Sequence, residues 1–223
     1  MILDFKNLHV GITNRCRLLC PVCARTSIGG RFIQNMFDLD QEHFTKFLVD
    51  SEPETILFCG NWGDPVYAKD FISTVREVKR NNPKCKVAIH TNGSGKSTEW
   101  WEELISVLND CDVLHFSIDG TPDNFNTYRI NAKWDDVENA AKSCIAYKKK
   151  QGYGPSITWK YIVFSYNQDS ILEAYKLSKA MNFDDFLLQP SLVEETGENS
   201  WLKMTDTFNK IEEKFNEQRR SLL

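Results

Sequence analysis

Six short runs rich in β-branched and aromatic residues alternate with segments of helical periodicity along the whole chain, and no other feature restricts the fold as much. The strand-like runs are Leu8–Thr13, Thr55–Gly60, Lys86–Thr91, Val113–Asp119, Ile157–Tyr166 and Phe186–Gln189. Helical patterns lie between them. The first follows Asp40, with Phe44, Phe47 and Leu48 on one face; the second carries Phe71, Val75 and Val78. The third starts near Thr98 with Trp101, Leu104, Ile105 and Leu108, and the acidic Glu99, Glu102 and Glu103 suit its first turns. The fourth covers Asp135–Lys150 and the fifth Ser170–Met181, with Asp169 as its expected cap. Strands separated by helices predict an α/β fold with one parallel sheet and right-handed crossovers. An open doubly wound sheet and a curved partial barrel fit this order equally well.

Beyond the sixth strand, Val193–Asn199 is acidic and turn-rich, and Met204, Phe208, Ile211 and Phe215 then fall on one helical face. The expected organisation is a core domain over 1–191 and an appendage over 192–223, an acidic loop and an amphipathic C-terminal helix packed on the core. A partner interface is the other use of that stripe.

At 223 residues, 41% hydrophobic and 12% aromatic, the chain suits one folded domain and not global disorder. Its formal net charge of -4 argues against broad nucleic-acid binding or attraction to a membrane surface. No apolar run approaches the roughly 20 residues of a membrane span. The opening MILDFKNLHV does not read as a signal peptide, because charges interrupt its apolar residues. Seven cysteines without such a signal point to a reducing, cytoplasmic setting.

Three of those cysteines carry the strongest chemical signal. Cys16, Cys20 and Cys23 stand in C-x3-C-x2-C spacing within GITNRCRLLCPVCART. Three thiolates can hold three irons of a cubane and leave the fourth iron open, whereas electron-transfer clusters use four. Ligating thiols are ionised, and Arg15 and Arg17 beside Cys16 are expected to stabilise that charge. A structural zinc site would want a fourth ligand, and the next histidine is His43.

This spacing after a first strand resembles the radical S-adenosylmethionine (SAM) superfamily, and TNRCRLLCPVC is most similar to its molybdenum-cofactor and peptide-maturase branch. The resemblance implies a partial (β/α)6 barrel with ligands at the C-terminal strand ends, a [4Fe–4S] cluster on Cys16, Cys20 and Cys23, and SAM on the open iron. It further implies one-electron cleavage of SAM to methionine and a 5′-deoxyadenosyl radical, which takes hydrogen from a substrate. A flavodoxin- or ferredoxin-like electron donor is the implied partner. The auxiliary-cluster extension of many such relatives is not expected here, because residues beyond Gln189 contain no cysteine.

Further residues follow from the same resemblance. FCGNWGDP matches the family's glycine-glycine-glutamate-proline motif, which places Gly63 and Asp64 at the SAM amino group; Trp62 stands where the motif has glycine, and aspartate is shorter than glutamate. HFSIDG puts His115, Ser117 and Asp119 on one strand face. Ser117, and Arg129 in NTYRIN, match positions that contact the SAM carboxylate or ribose. Asn92 after the third strand and Asn167 after the fifth are candidate cavity residues. Val22 corresponds to a cluster-loop position whose backbone meets adenine, and Leu188, with Gln189, is a candidate for the same adenine pocket. His90, His115 and Lys160 point to a polar cavity, hence a polar substrate, with a peptide favoured over a nucleotide or other small molecule. A lone interior histidine is more often a satisfied core group, and Cys59 reads as a small buried residue.

Two rival classes remain open. HTNGSGKST before a helix, with Asp119 ending the next strand, looks like a phosphate-binding loop and its magnesium partner, except that His90 stands where the motif needs glycine. A non-catalytic metal-binding module is the other.

Overall fold

The computed structural model describes residues 6–27, 36–60, 62–191 and 208–221. Met204 and Val193–Asn199 lie outside them. Six strands, β1 (Asn7–Val10), β2 (Thr55–Phe58), β3 (Lys86–Thr91), β4 (Val113–Ser117), β5 (Ser156–Val163) and β6 (Asp185–Pro190), form one sheet in the order of the chain. Every neighbouring pair is parallel. A doubly wound sheet reverses its strand order part-way. This one never does, so the curved partial barrel is the architecture.

The helices are α1 (Ala24–Ser27), α2 (Gln41–Ser51), α3 (Phe71–Asn81), α4 (Thr98–Ser106), α5 (Trp134–Gln151), α6 (Ile171–Ala180) and α7 (Phe208–Arg220). Asp40 caps α2 by accepting the His43 N–H, and Ser97 caps α4 through the Trp100 N–H. The expected Asp169 cap does not form. Gln168–Ser170 is a short 3-10 turn, and α6 starts after Ser170 with no side-chain cap bond.

Alternation along each strand divides the sheet into two faces. Phe58, Ile89, Phe116 and Trp159 are wholly buried on the outer face. Their rings meet the helices: Phe58 lies edge-on to Phe71 of α3 at 5.4 Å, and Phe116 lies 5.5 Å from Trp101 of α4. On α7, Phe215 packs 5.3 Å from Tyr175 and 5.8 Å from Phe186. The inner face is only half-buried.

Four strands stop earlier than their sequence runs, the fifth at Val163 in place of Tyr166. The first ends at Val10 and the second at Phe58, and the chain beyond each turns into the loops of the site. The fourth ends at Ser117, because Asp119 leaves the ladder to accept the Ile162 N–H through its side chain.

Candidate active site

The cysteine loop leaves β1 and is seated on the turn after β2. Gly63 lies against that loop: a Cβ there would stand 2.4 Å from the Thr13 carbonyl oxygen and 2.8 Å from that of Arg15. Only glycine permits this approach. The next amide, Asp64 N–H, donates to the Arg15 carbonyl at 2.8 Å, so the motif strand end holds the loop start directly. Further along, the Leu19 N–H donates to the Ile130 carbonyl at 3.1 Å, tying the loop to the Arg129 segment.

Asp64 is buried and already supplied with donors. Its oxygens accept the Asn92 N–H at 2.7 Å, the Thr91 hydroxyl at 2.9 Å and the Val66 N–H at 3.2 Å. The carboxylate therefore clamps the end of β2 to the end of β3, a structural duty that its motif position does not reveal. Burial pushes its pKa up against the pull of those bonds.

Cys16 Sγ receives the Leu18 N–H at 3.4 Å and the Asn92 amide at 3.5 Å. Burial, then the Asp64 charge, pushes the Cys16 thiol up to about 11. Burial also raises Cys20, with Arg129 opposing. The expected help from Arg15 and Arg17 is not what the fold provides. Arg15 pairs with Asp38 at 3.1 Å and Arg17 lies 3.7 Å from Asp136. The cation acting on Cys16 is Arg25. Thiols raised in this way release protons when a metal binds, so metal affinity rises with pH.

One cavity of about 310 Å³ gathers most of the expected residues: Cys16, Cys20, Cys23, Gly63, Asp64, Asn92, Ser117 and Arg129. The donor set fits a cubane. Three thiols open on one cavity, with an amide directed at one sulfur, while among the described residues no three His, Cys, Asp or Glu side chains converge as ligands of a single ion. Arg129 Nη2 is 2.6 Å from Asp119 Oδ2, a close ion contact without good hydrogen-bond alignment, and Arg129 Nε is buried without a partner.

Three expected residues fall elsewhere. Asn167 is fully buried; its amide donates to the carbonyls of Asp119 and Ile162, and its oxygen accepts the Phe164 N–H. Those bonds make it the brace of the β5 exit and leave its amide nothing to offer a ligand. Leu188 shares the outer face with Phe186 and packs on the core; the inward positions of β6 are Leu187 and Gln189. Val22 is half-buried in the cysteine loop and is not part of the cavity wall.

The cavity also contains residues with weaker sequence signals. Cys59 faces it half-buried, as do Tyr128, Lys160 and Ile162. His90 lines it as well, and His115 stands beside His90 with ring centroids 4.5 Å apart; His115 Nδ1 is buried and unpartnered, so this is not a satisfied core histidine. Strand parity pointed inward for these residues, but nothing in the sequence placed the cysteine loop over them.

The phosphate-loop alternative does not survive the geometry. Lys96 Nζ sits over the rings of Trp100 and Tyr67, and Asp119 is wholly buried against Arg129.

The profile of the Radical SAM superfamily matches residues 10–178. The chain belongs to the radical SAM superfamily. A [4Fe–4S] cluster and SAM are the cofactors that come with this membership. Over 217 residues the chain is 27% identical to the tungsten-containing aldehyde ferredoxin oxidoreductase cofactor-modifying protein of Pyrococcus furiosus, covering 92% of this chain and 59% of that one. The crystal structure of Streptococcus suis SuiB bound to SAM superposes with a TM-score of 0.70 at 14% identity, covering 98% of this chain and 48% of SuiB. Native anSMEcpe with bound AdoMet gives a TM-score of 0.70 at 19% identity, covering 95% of this chain and 59% of that one. At these identities the two superpositions establish the radical SAM fold. The chain spans about half to three-fifths of the length of these relatives. Among the described residues no helix is long and apolar enough to cross a membrane.

Proposed function

We propose that this chain is a radical SAM enzyme that abstracts a hydrogen atom from a polar substrate, a peptide in preference to a nucleotide. The observation that carries the reading is the meeting of Cys16, Cys20 and Cys23 with Gly63, Ser117 and Arg129 on one cavity at the C-terminal ends of the strands. When bound and reduced by one electron, the cluster and SAM together supply a 5′-deoxyadenosyl radical.

The residues divide that work. Cys16, Cys20 and Cys23 hold the cluster, and Asn92 steadies Cys16 through its amide. Gly63 and Asp64 shape the wall that meets the SAM amino group. Ser117 and Arg129 take its carboxylate or ribose, with Arg129 held by Asp119 and its unpartnered Nε as the available donor. Residues 1–191 form the catalytic core and 192–223 its C-terminal appendage, working in the cytoplasm with a flavodoxin- or ferredoxin-like one-electron donor.

The P. furiosus relative is described as modifying a cofactor of another enzyme, and anSMEcpe has been crystallised with a Cp18Cys peptide. Both support a substrate carried on, or made of, polypeptide.

The test is anaerobic reconstitution followed by reduction in the presence of SAM. About four iron and four sulfide per chain are expected, with 5′-deoxyadenosine and methionine as products. S-adenosylhomocysteine as the only product would indicate methyl transfer and end this reading.

A further inference from the structure

Lys160 is the one cavity residue whose charge the fold leaves unanswered among the described residues. It stands on the inner face of β5, in register with Ser117 of β4 and Leu187 of β6, and it lines the cavity of the three cysteines. Three other deeply placed cations are answered. Arg129 lies against Asp119, Lys79 lies 2.6 Å from Asp112, and Lys96 rests over two aromatic rings. The Lys160 ammonium makes no ion pair and no hydrogen bond among the described residues, and the backbone carbonyl of Lys160 is engaged by the Ile118 N–H at 2.9 Å.

No carboxylate of the cavity is free to answer it. Asp64 is held by Thr91, Asn92 and Val66, and Asp119 by Ile162 and Arg129. The neighbouring Cys59 thiol is raised by burial and stays protonated. His90 and His115 add neutral imidazoles on the same inner face: burial, then Lys160 itself, lowers their pKa values to about 3 and about 4. Burial lowers Lys160 too, so the site destabilises its own cation. A half-buried cation without a partner costs stability and is retained where a ligand supplies the partner.

We propose that Lys160, flanked by His90 and His115, receives an oxyanion of the substrate, a carboxylate or a phosphate. The inference rests on the proposed function, since it needs a substrate in this cavity. It narrows the substrate class to polar molecules that carry an acidic group within reach of the cysteine loop. An acidic side chain or terminal carboxylate of a peptide meets that requirement, and so does a phosphorylated small molecule.

The test uses reconstituted holoenzyme with the cluster reduced and S-adenosylhomocysteine, a thioether with no sulfonium bond to cleave, in place of SAM, so that the paramagnetic cluster broadens the resonance of any nucleus held in the cavity. The probes are carboxylate-labelled N-acetylglycinate, its neutral amide, and inorganic phosphate. At least one anion is expected to broaden and the amide is not. Broadening of the carboxylate alone, of phosphate alone, or of both supports the site and assigns its chemistry.

Lys160→Met should weaken the bound anion roughly tenfold to a hundredfold, the loss of one charged hydrogen bond. Lys160→Arg should retain the anion, and Lys46→Met, on the exposed face of α2, should not affect it. The thermal midpoint of Lys160→Met should equal or exceed that of the parent protein, because an unanswered cation is removed; a lower midpoint, or failure to fold, would make Lys160 structural and overturn the proposal. Equal broadening in Lys160→Met, or equal broadening by the amide, would overturn it as well. A matching loss of SAM affinity in Lys160→Met would assign the anion to the SAM carboxylate and likewise end the substrate site. Parent protein that cleaves SAM yet broadens neither anion sinks this inference alone, whereas parent protein that makes no 5′-deoxyadenosine sinks the proposed function.

Discussion

The two faces of the single sheet are built from the same strands and have opposite chemistry. Outward, Phe58, Ile89, Phe116 and Trp159 are wholly buried against helices. Inward, His90, His115, Ser117 and Lys160 are half-buried around a cavity, one with an unpartnered ring nitrogen and one with an unpaired charge. Stability is concentrated on the first face and reactivity on the second. The two ends of the barrel repeat the contrast. At the N-terminal ends of β3 and β4, Asp112 is satisfied by Lys79, the Val87 N–H and the Asn109 N–H. At the C-terminal ends, Lys160 has no such answer. The lesson is that Asp64, Asp112 and Asn167 are satisfied where they serve structure, whereas His115 and Lys160 are left open on the face that meets the cavity.

Substitutions can break that division, and the largest effect concerns the metal. Cys20→Ala should abolish iron binding and SAM cleavage, because one iron of the cubane loses its thiolate; an iron assay after anaerobic reconstitution checks it. Cys111→Ala, at an exposed position away from the cavity, should keep its iron.

On the outer face, Trp159→Ala should cost about 3–5 kcal/mol through the cavity it leaves, read from denaturant midpoints. Ser117→Ala, half-buried on the inner face at the end of β4, should leave the midpoint nearly unchanged and act on SAM affinity instead. At the closed end, Asp112→Ala should cost roughly 3–5 kcal/mol, because it leaves Lys79 buried without a counter-charge. A loss much smaller than that would show the two ends to be energetically alike.

The smallest expected effect is a pH dependence. His90 and His115 have folded pKa values depressed to about 3 and about 4, so between those values and the ordinary 6.5 the unfolded chain binds more protons. Their neutral forms contribute stability that is complete above pH 6.5 and is lost as the pH falls below it. Thermal midpoints should therefore drop from pH 7.5 to pH 5, and drop less in a His90→Gln, His115→Gln double variant. An equal drop in both proteins would place the acid sensitivity elsewhere; Lys160, His9, Lys86 and Asp185 are the other charged or titratable neighbours of the pair.

The alternating pattern was enough to determine six parallel strands with intervening helices, because apolar periodicity reports burial one element at a time. Cys16, Cys20 and Cys23 were likewise legible, since the ligand spacing of a short loop is a local property. Strand order was not. Reversed and unreversed windings bury the same residues on each strand, and only the assembled sheet shows which occurs. Nor could the sequence tell that the Asp64 carboxylate is taken up by Thr91 and Asn92, that Asn167 braces the β5 exit, or that Leu188 turns to the helices while Leu187 and Gln189 turn inward. Those outcomes depend on partners 27 to 48 positions away in the chain and on the register of a six-residue strand. The sequence alone determined which groups can do chemistry; tertiary structure decided which are already satisfied, and therefore which remain free to meet a ligand.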